Sequence, residues 1–381
     1  MQSACPTRRP RRGPAGGRGG YPRHVETPRA TATGDFEEHI APLRGELHAH
    51  CYRMLGSVHD ADEALQETLL RAWRGMDSFE RRSSLRTWLY TIATNTCLTQ
   101  IESSTRRRVL PVDFGPAAEA HDPPGAPVVE NVWIEPYPDD RLGLGGEAAG
   151  PAARYEQREG VELAFVAALQ HLPANQRAAL ILREVLSYSA SEAAAMLDTS
   201  VASVNSALQR ARAAVEQRVP DQSQQAALQA LGDKGLEELV ARYVTAWERC
   251  DIPAFTAMLV EDATFAMPPL TTWYRGRDAI ETWARAYSLS GEWRWRALPV
   301  RANGQPALGF YAWDEEQQTH LPFALNVLTL RGEKVSAVTA FIVRATDEPD
   351  GEAYARFPEQ PMDAGRLGGA FGRFGLPERV D

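Results

Sequence analysis

Between Leu186 and Val219 the apolar positions describe two helices separated by a short polar break. Ser189, followed three residues on by Glu192, is a capping box that starts the first helix. Ala190 to Leu197 is rich in the strongest helix former. Asp198, Thr199 and Ser200 interrupt the run and offer a second N-cap. Val204, Leu208, Ala211 and Val215 then recur at steps of four, three and four, which is one apolar face of a second helix. Its other side bears Ser203, Asn205, Ser206, Gln209, Arg210 and Arg212. A buried stripe backed by hydroxyls, amides and arginines fits a DNA major groove. The short polar groups meet base edges, and the arginines meet phosphates or guanine.

Helical spacing also governs the stretch before residue 109. Phe36, Ile40, Leu43, Leu47, Cys51 and Met54 form one apolar series. In Asp60 to Gly75, Asp62 and Gln66 are four apart, as are Glu63 and Glu67, so one acidic face results. From Ser83 to Arg108, Leu85, Trp88, Leu89 and Ile92 are expected as a buried stripe. Tyr90, Thr91 and Asn95 lie off that stripe, and Arg106, Arg107 and Arg108 follow as a basic run. Further on, Leu163, Val166, Leu169, Leu172, Leu180, Ile181 and Val185 supply a second helical core that leads into the opening pair.

Between these helical blocks, residues 109–153 are rich in Pro, Gly and Ala, with eight acidic residues and one arginine. They read as an extended linker. Within it, Trp133 and Tyr137 are expected to anchor the linker on a folded surface, such as the C-terminal domain. Residues 220–233 read as a polar connector. From Gly235 the pattern changes to two amphipathic helices, a strand ending at Pro268-Pro269, a helix from Asp278 to Tyr287, and four strand-like runs. Three helices wrapped by a curved antiparallel sheet make a cone-shaped α+β domain. The fold class is therefore multidomain, with two all-α domains joined by a linker and followed by an α+β cone. Its expected parts are 1–34, 35–108, 109–153, 154–219, 220–233, 234–345 and 346–381.

Several of these segments resemble the extracytoplasmic-function type of sigma-70 family factors. The helical pair resembles their region 4.2, and Leu172-Pro173-Ala174-Asn175-Gln176-Arg177 resembles region 4.1. The run DADEALQE resembles region 2.2, and WLYTIATN with the arginines after it resembles regions 2.3 and 2.4. The resemblance implies binding of core RNA polymerase by Asp62, Glu63, Gln66 and Glu67. It implies capture of the promoter −10 element by Tyr90, Thr91, Asn95, Arg106, Arg107 and Arg108. An unstacked base needs stacking and hydrogen-bonding partners, and arginines hold its strand. The −35 element falls to Ser203, Asn205, Ser206, Gln209, Arg210 and Arg212. Gln100 to Ser104 departs from the family, which often has more basic residues there. The C-terminal pattern, with PPLTTWYRGR, is similar to SnoaL-like domains of the nuclear transport factor 2-like fold. That likeness implies control of the sigma domains through intramolecular contact.

Composition narrows the setting. The formal net charge of −9 requires a DNA binder to concentrate positive charge locally. Residues 1–34 hold seven arginines and a single acidic residue, Glu26, and are expected to stay unfolded. Four cysteines lie far apart without metal or redox spacing, and His48, His50 and Cys51 fall on different sides of a helix. No metal and no cofactor is expected. No apolar run approaches the ~20 residues that span a bilayer, so the expected place is the cytoplasm, on the nucleoid. The alternative is a helix-turn-helix protein fused to a cone that binds a small molecule or acts as an isomerase or cyclase. Its pocket would be lined by Tyr243, Trp247, Phe265, Met267, Trp273, Phe310 and Trp313, with Asp262, Asp278 or His320 as general base. That reading leaves residues 60–108 without a role.

Overall fold

Two serine caps start two of the helices of the first domain in this computed structural model, which describes residues 38–76, 79, 83–104, 107–125, 127–128, 132–142, 151–343 and 370–381. Residues 38–40 belong to a separate N-terminal unit, and the helices and strands named α1 to α12 and β1 to β6 lie in the unit from Ala41 to Asp381. Helix α1 spans Arg44–Leu55 and ends at Gly56, whose φ of 72° is the left-handed turn that glycine adopts freely. Ser57 Oγ accepts from Asp60 N at 3.1 Å and starts α2, Val58–Gly75. Ser84 Oγ accepts from Thr87 N at 3.0 Å and starts α3, Leu85–Ser103. Ala61, Ala64 and Ala72 of α2 are small enough to let the helices approach closely over Leu47, Cys51 and Met54.

The expected stripe on α3 is rotated. Leu89 is buried, but Leu85, Trp88 and Ile92 are only half-buried, and Trp88 stacks on Phe79 with centroids 4.8 Å apart. The buried face is Leu89, Tyr90, Ala93, Thr94, Thr96 and Cys97. The physical reason is that α3 is covered on a second side, where Tyr188 of the next domain meets Tyr90. Periodicity within one helix carries no record of that neighbour.

After a four-residue helix α4, Pro111–Phe114, the second domain comprises α5 (Pro151–Glu159), α6 (Leu163–Gln170), α7 (Ala174–Leu180), α8 (Ala190–Met196) and α9 (Val201–Glu216). Helix α7 widens into a π turn over Ile181–Val185. The capping box on α8 has both of its bonds: Glu192 N to Ser189 Oγ at 3.2 Å, and Ser189 N to Glu192 Oε2 at 2.8 Å. Ser200 caps α9 by accepting from Ser203 N at 3.1 Å.

The expected connector 220–233 is not a tether. Ser223 caps α10, Gln224–Glu248, which is interrupted only at Gly232 (φ 70°, ψ 166°). Gln224 and Gln225 are buried because their amides satisfy backbone groups elsewhere. Gln224 pairs with both N and O of Leu330, and Gln225 Nε2 donates to Gly304 O at 2.8 Å. Beyond α11 (Ile252–Ala257), the cone is a six-stranded sheet in the order β2-β1-β6-β5-β4-β3. The strands are β1 Leu259–Ala266, β2 Trp273–Arg275, β3 Trp295–Ala302, β4 Gln305–Asp314, β5 Thr319–Arg331 and β6 Lys334–Ile342, with α12 (Arg277–Ala286) after β2. All neighbours are antiparallel except β1 and β6, which run parallel.

Residues 370–381 fold back on the sheet. Phe371 meets Tyr311 edge-on at 5.1 Å, Tyr311 Oη donates to Pro377 O at 2.9 Å, and Val380 exchanges backbone bonds with His320. They cover Gly309, where a Cβ would lie 3.1 Å from Phe371 and collide with Leu376. Gly309→Ala is expected to lower stability by about 1–3 kcal/mol through that overpacking. The same substitution in a chain ending at residue 369 should lose most of the penalty. Chemical denaturation of the four proteins measures both effects.

Candidate nucleic-acid and partner interfaces

On α2 the acidic face divides. Glu63 and Gln66 are exposed, with Glu63 3.4 Å from His59 and Glu67 paired to Arg71 at 2.6 Å. Asp62 turns instead to the linker, where Arg141 Nη1 meets its two oxygens at 2.8 and 3.0 Å and His48 Nε2 lies 3.1 Å away. The open face continues as Leu70 and Trp73, 49% and 44% exposed. Neither is among the expected contacts, although the steps from Glu63 to Gln66, Leu70 and Trp73 keep one helix face. Large exposed apolar groups rimmed by charge mark an interaction surface.

The −10 candidates are not brought together on an open surface. Tyr90 is buried, its ring between His50 at 5.2 Å and Tyr188 at 6.1 Å, under the guanidinium of Arg86 at 4.7 Å. Arg86 is held there by a two-pronged ion pair with Glu46, at 3.0 and 2.9 Å. Burial pushes the Tyr90 phenol well above its ordinary range and holds the His50 imidazole down at about 3. Thr91 is half-buried and donates to Thr87 O at 2.9 Å. Arg108 is buried and spent on Asp60 Oδ2, at 2.6 Å, and on Trp133 O, at 3.0 Å. That pair corrects its expected place in a free basic run, since a buried guanidinium needs fixed partners. Asn95 and Arg107 are exposed, and Arg106 lies outside the described residues.

On α9 the −35 candidates share one exposed surface. Val204, Ala207, Leu208, Ala211 and Val215 are buried, and Ser203, Asn205, Ser206, Gln209, Arg210 and Arg212 all face outward. Arg210 donates to Ser206, and Arg212 pairs with Glu184. These contacts are exposed and exchangeable, so the surface is open to a ligand.

The linker is fastened along its described length. Its first half lies along the β2 side of the cone. Ala118 N donates to Trp273 O at 2.8 Å, Trp273 Nε1 to Gly115 O at 2.9 Å, Tyr274 Oη to Asp122 O at 2.7 Å, and Val128 N to Pro269 O at 2.9 Å. The second half passes through a buried polar junction. Asn303 Nδ2 donates to Tyr52 Oη at 2.9 Å and to Val161 O at 2.8 Å, while its Oδ1 accepts from Tyr137 N at 2.8 Å. Tyr52 Oη in turn donates to Glu135 O at 2.7 Å, and Glu135 accepts from Val58 N at the start of α2. Tyr137 Oη lies 2.8 Å from His48 Nδ1. Tyr137 thus anchors the linker on both the first domain and the cone. Trp133 packs instead against Val109 and Phe114 within the linker, its indole donating to Val128 O at 2.8 Å.

Two guanidiniums join the helical domains. Arg53 Nε donates to Gly160 O at 2.8 Å. Arg177, from the Leu-Pro-x-x-x-Arg run, donates to Met54 O and to Gln170 Oε1. Burial lowers its guanidinium to about 10. At the entry to α6, Glu162 accepts from Gln225 N at 2.9 Å, and burial pushes its carboxyl up to about 7.

Inside the cone, Tyr243, Trp247, Phe265, Met267 and Phe310 are buried in one cluster, with Trp247 and Phe310 centroids 4.9 Å apart. Phe255, Trp283 and Trp295 pack among them. Trp273 and Trp313, also expected there, lie elsewhere. Trp273 faces the linker, and Trp313 is half-exposed beside His320, under Arg294. None of the expected bases lines the interior either. Asp262 pairs with Arg331 at the surface, Asp278 is exposed, and His320 is covered by Val380.

Three known protein families match successive parts of the chain. Residues 40–107 match the Sigma-70 region 2 family, 162–215 match Sigma-70, region 4, and 240–348 match the SnoaL-like domain. The chain is 45% identical over 316 residues to the ECF RNA polymerase sigma factor SigG of Mycobacterium tuberculosis, covering 81% of each. It is 27% identical over 223 residues to SigJ of the same organism, covering 58% of this chain and 62% of that one. The crystal structure of SigJ superposes with a TM-score of 0.50 at 22% identity, over 87% of this chain and 100% of that one, and so shares the fold.

Asn303→Ala is expected to cost about 2–4 kcal/mol, because it strands Tyr137 N and Val161 O in the interior. The loss of midpoint in urea denaturation measures it. Glu162 supplies a pH test. Its folded carboxyl titrates near 7 against an ordinary 4.5, so the folded chain holds the extra proton and its stability falls as pH rises across that window. Glu162→Gln should match the parent near pH 4.5 and exceed it at pH 8, by no more than about 3 kcal/mol. A constant difference across that range would contradict the burial of this carboxyl.

Proposed function

We infer, from the premise that the chain belongs to the extracytoplasmic-function RNA polymerase sigma factors, how its surfaces divide the work of promoter-specific initiation. It is an alternative sigma factor, with a SnoaL-like domain fused to its sigma domains. Core polymerase binds along α2, on Glu63, Gln66 and Glu67 together with Leu70 and Trp73, and Asp62 joins them when Arg141 leaves. The −35 element binds α9 through Ser203, Asn205, Ser206, Gln209, Arg210 and Arg212. The −10 element binds α3 through Tyr90, Thr91 and Asn95, with Arg106 and Arg107 on its backbone. The observation that carries the regulatory part is the double engagement of Asp62 by Arg141 and of Tyr90 by Arg86 and Tyr188. Both are groups that the open factor needs, and both are used internally.

The cone acts as a built-in regulator and performs no bond chemistry. This is supported by an interior filled with aromatic rings and by carboxylates that sit outside it. It holds the linker and, through Asn303, both sigma domains. Opening is then a population shift between a closed arrangement and a polymerase-competent one. A ligand or partner shifts it only by its difference in affinity for the two.

Transcription with reconstituted holoenzyme on a promoter library tests the reading. The full chain should initiate selectively. Leu70→Ala with Trp73→Ala should weaken core binding about tenfold or more, as loss of central apolar contacts does. Arg141→Ala should strengthen it, by freeing Asp62. Absence of core binding and of initiation by every variant would overturn the assignment, and unchanged core binding by Arg141→Ala would overturn the masking of Asp62.

A further inference from the structure

Helix α9 exposes one large apolar side chain that the assignment of polar readers leaves unused. Val201, the first residue of the helix, is 43% exposed, and Ala202 beside it is also exposed. Among the described residues, the other large exposed apolar groups are on α2 (Leu70, Trp73) and α4 (Val112, Phe114). Part of the Val201 side chain is left in water, while the core of this domain is filled by Val204, Leu208 and Val215.

Helical geometry sets what lies next to it. At 100° per residue, the outward centre of α9 is Ala202, Ser206, Gln209 and Ala213, opposite the buried stripe. Val201 and Asn205 are four apart on one flank of that centre, so their side chains are neighbours. Arg212 lies farther along the same flank and Arg210 on the opposite one. Two arginines straddling a strip of small side chains fit two phosphate strands bordering a groove, with the small residues admitting the helix. In that setting Val201, in the first turn of the helix, is among the N-terminal residues that meet base edges when such a helix enters the groove. Of the groups that base pairs present in the major groove, one is apolar, the C5 methyl of thymine. Asn205 has the paired donor and acceptor that match adenine N6 and N7.

Resting on the assignment of α9 to the −35 element, we propose that Val201 is a specificity-determining residue that reads a thymine methyl, on a base pair adjoining the one met by Asn205. The contact favours thymine over cytosine at that position through burial of the methyl. It needs no hydrogen bond, so it is invisible to a search for polar readers.

The test uses full-length chain in holoenzyme, on a promoter selected from the library, with each thymine of the −35 element replaced singly by deoxyuridine. This removes the methyl and leaves every base-pairing atom in place. At one position the replacement should weaken binding about fourfold, the loss expected for one buried methyl. Val201→Ser, at an exposed position that leaves the fold intact, should show no such loss there, and should equal the parent on the deoxyuridine template. Selective initiation with no deoxyuridine effect, or with the same effect in Val201→Ser, overturns the thymine contact and leaves the sigma assignment standing. No initiation from any library member overturns both.

Discussion

The side chain of Asn303 lies where four segments of the chain meet, and the arrangement depends on its three hydrogen bonds. Asn303 and Gly304 form the two-residue turn between β3 and β4, with φ of 56° and 69°. Such a turn needs two residues that tolerate positive φ, and asparagine followed by glycine is the pair best suited to it. The same residue that closes the hairpin projects its amide into a fully buried site. There it satisfies Tyr52 of α1, Tyr137 of the linker and the carbonyl before α6 at once. In a low-dielectric interior each of these groups is costly to leave unpaired. Withdrawing any one segment strands the others, so the junction tends to form or break as a whole.

Around that junction the contacts between domains are largely directional and polar. Arg53 and Arg177 donate to backbone carbonyls across the seam between the helical domains, and Arg141 and Arg108 hold linker and α2 together. Guanidinium contacts of this kind specify one geometry, and water can replace them when the segments part. An apolar seam of equal extent would resist separation through the hydrophobic effect. The junction therefore specifies a single arrangement through contacts that water can also satisfy.

The structure covers some of the candidate faces and leaves others exposed. Tyr90 on α3 is enclosed and Arg108 beyond its end is paired, whereas the outward face of α9 and the α2 face of Glu63, Gln66, Leu70 and Trp73 stay exposed. The cone touches the linker along the β2 side and reaches the sigma domains at the β3–β4 turn. Its aromatic interior serves as the core of this platform.

Much of this architecture is legible in local pattern, because its causes are local. The capping box at Ser189 and Glu192, the cap at Ser200, the buried stripe of α9 and the turn at Gly304 involve residues within a few positions of one another. Their hydrogen bonds and spacings appear in the sequence itself. The exposed face of α9 follows from the same periodicity, so its polar groups were readable as a set, and Leu70 and Trp73 were within reach of the same reasoning. What escaped depends on partners far away in the chain. Tyr90 lies off the apolar stripe of α3 by spacing, yet Tyr188 and Arg86 cover it. Arg108 reads as part of a basic run, yet Asp60 holds it. Gln224 and Gln225 read as a soluble connector, yet they bury their amides against strand ends. A polar residue announces that it can make a hydrogen bond but not with whom. Only the tertiary structure decided which polar groups face solvent and which are used to hold the domains together.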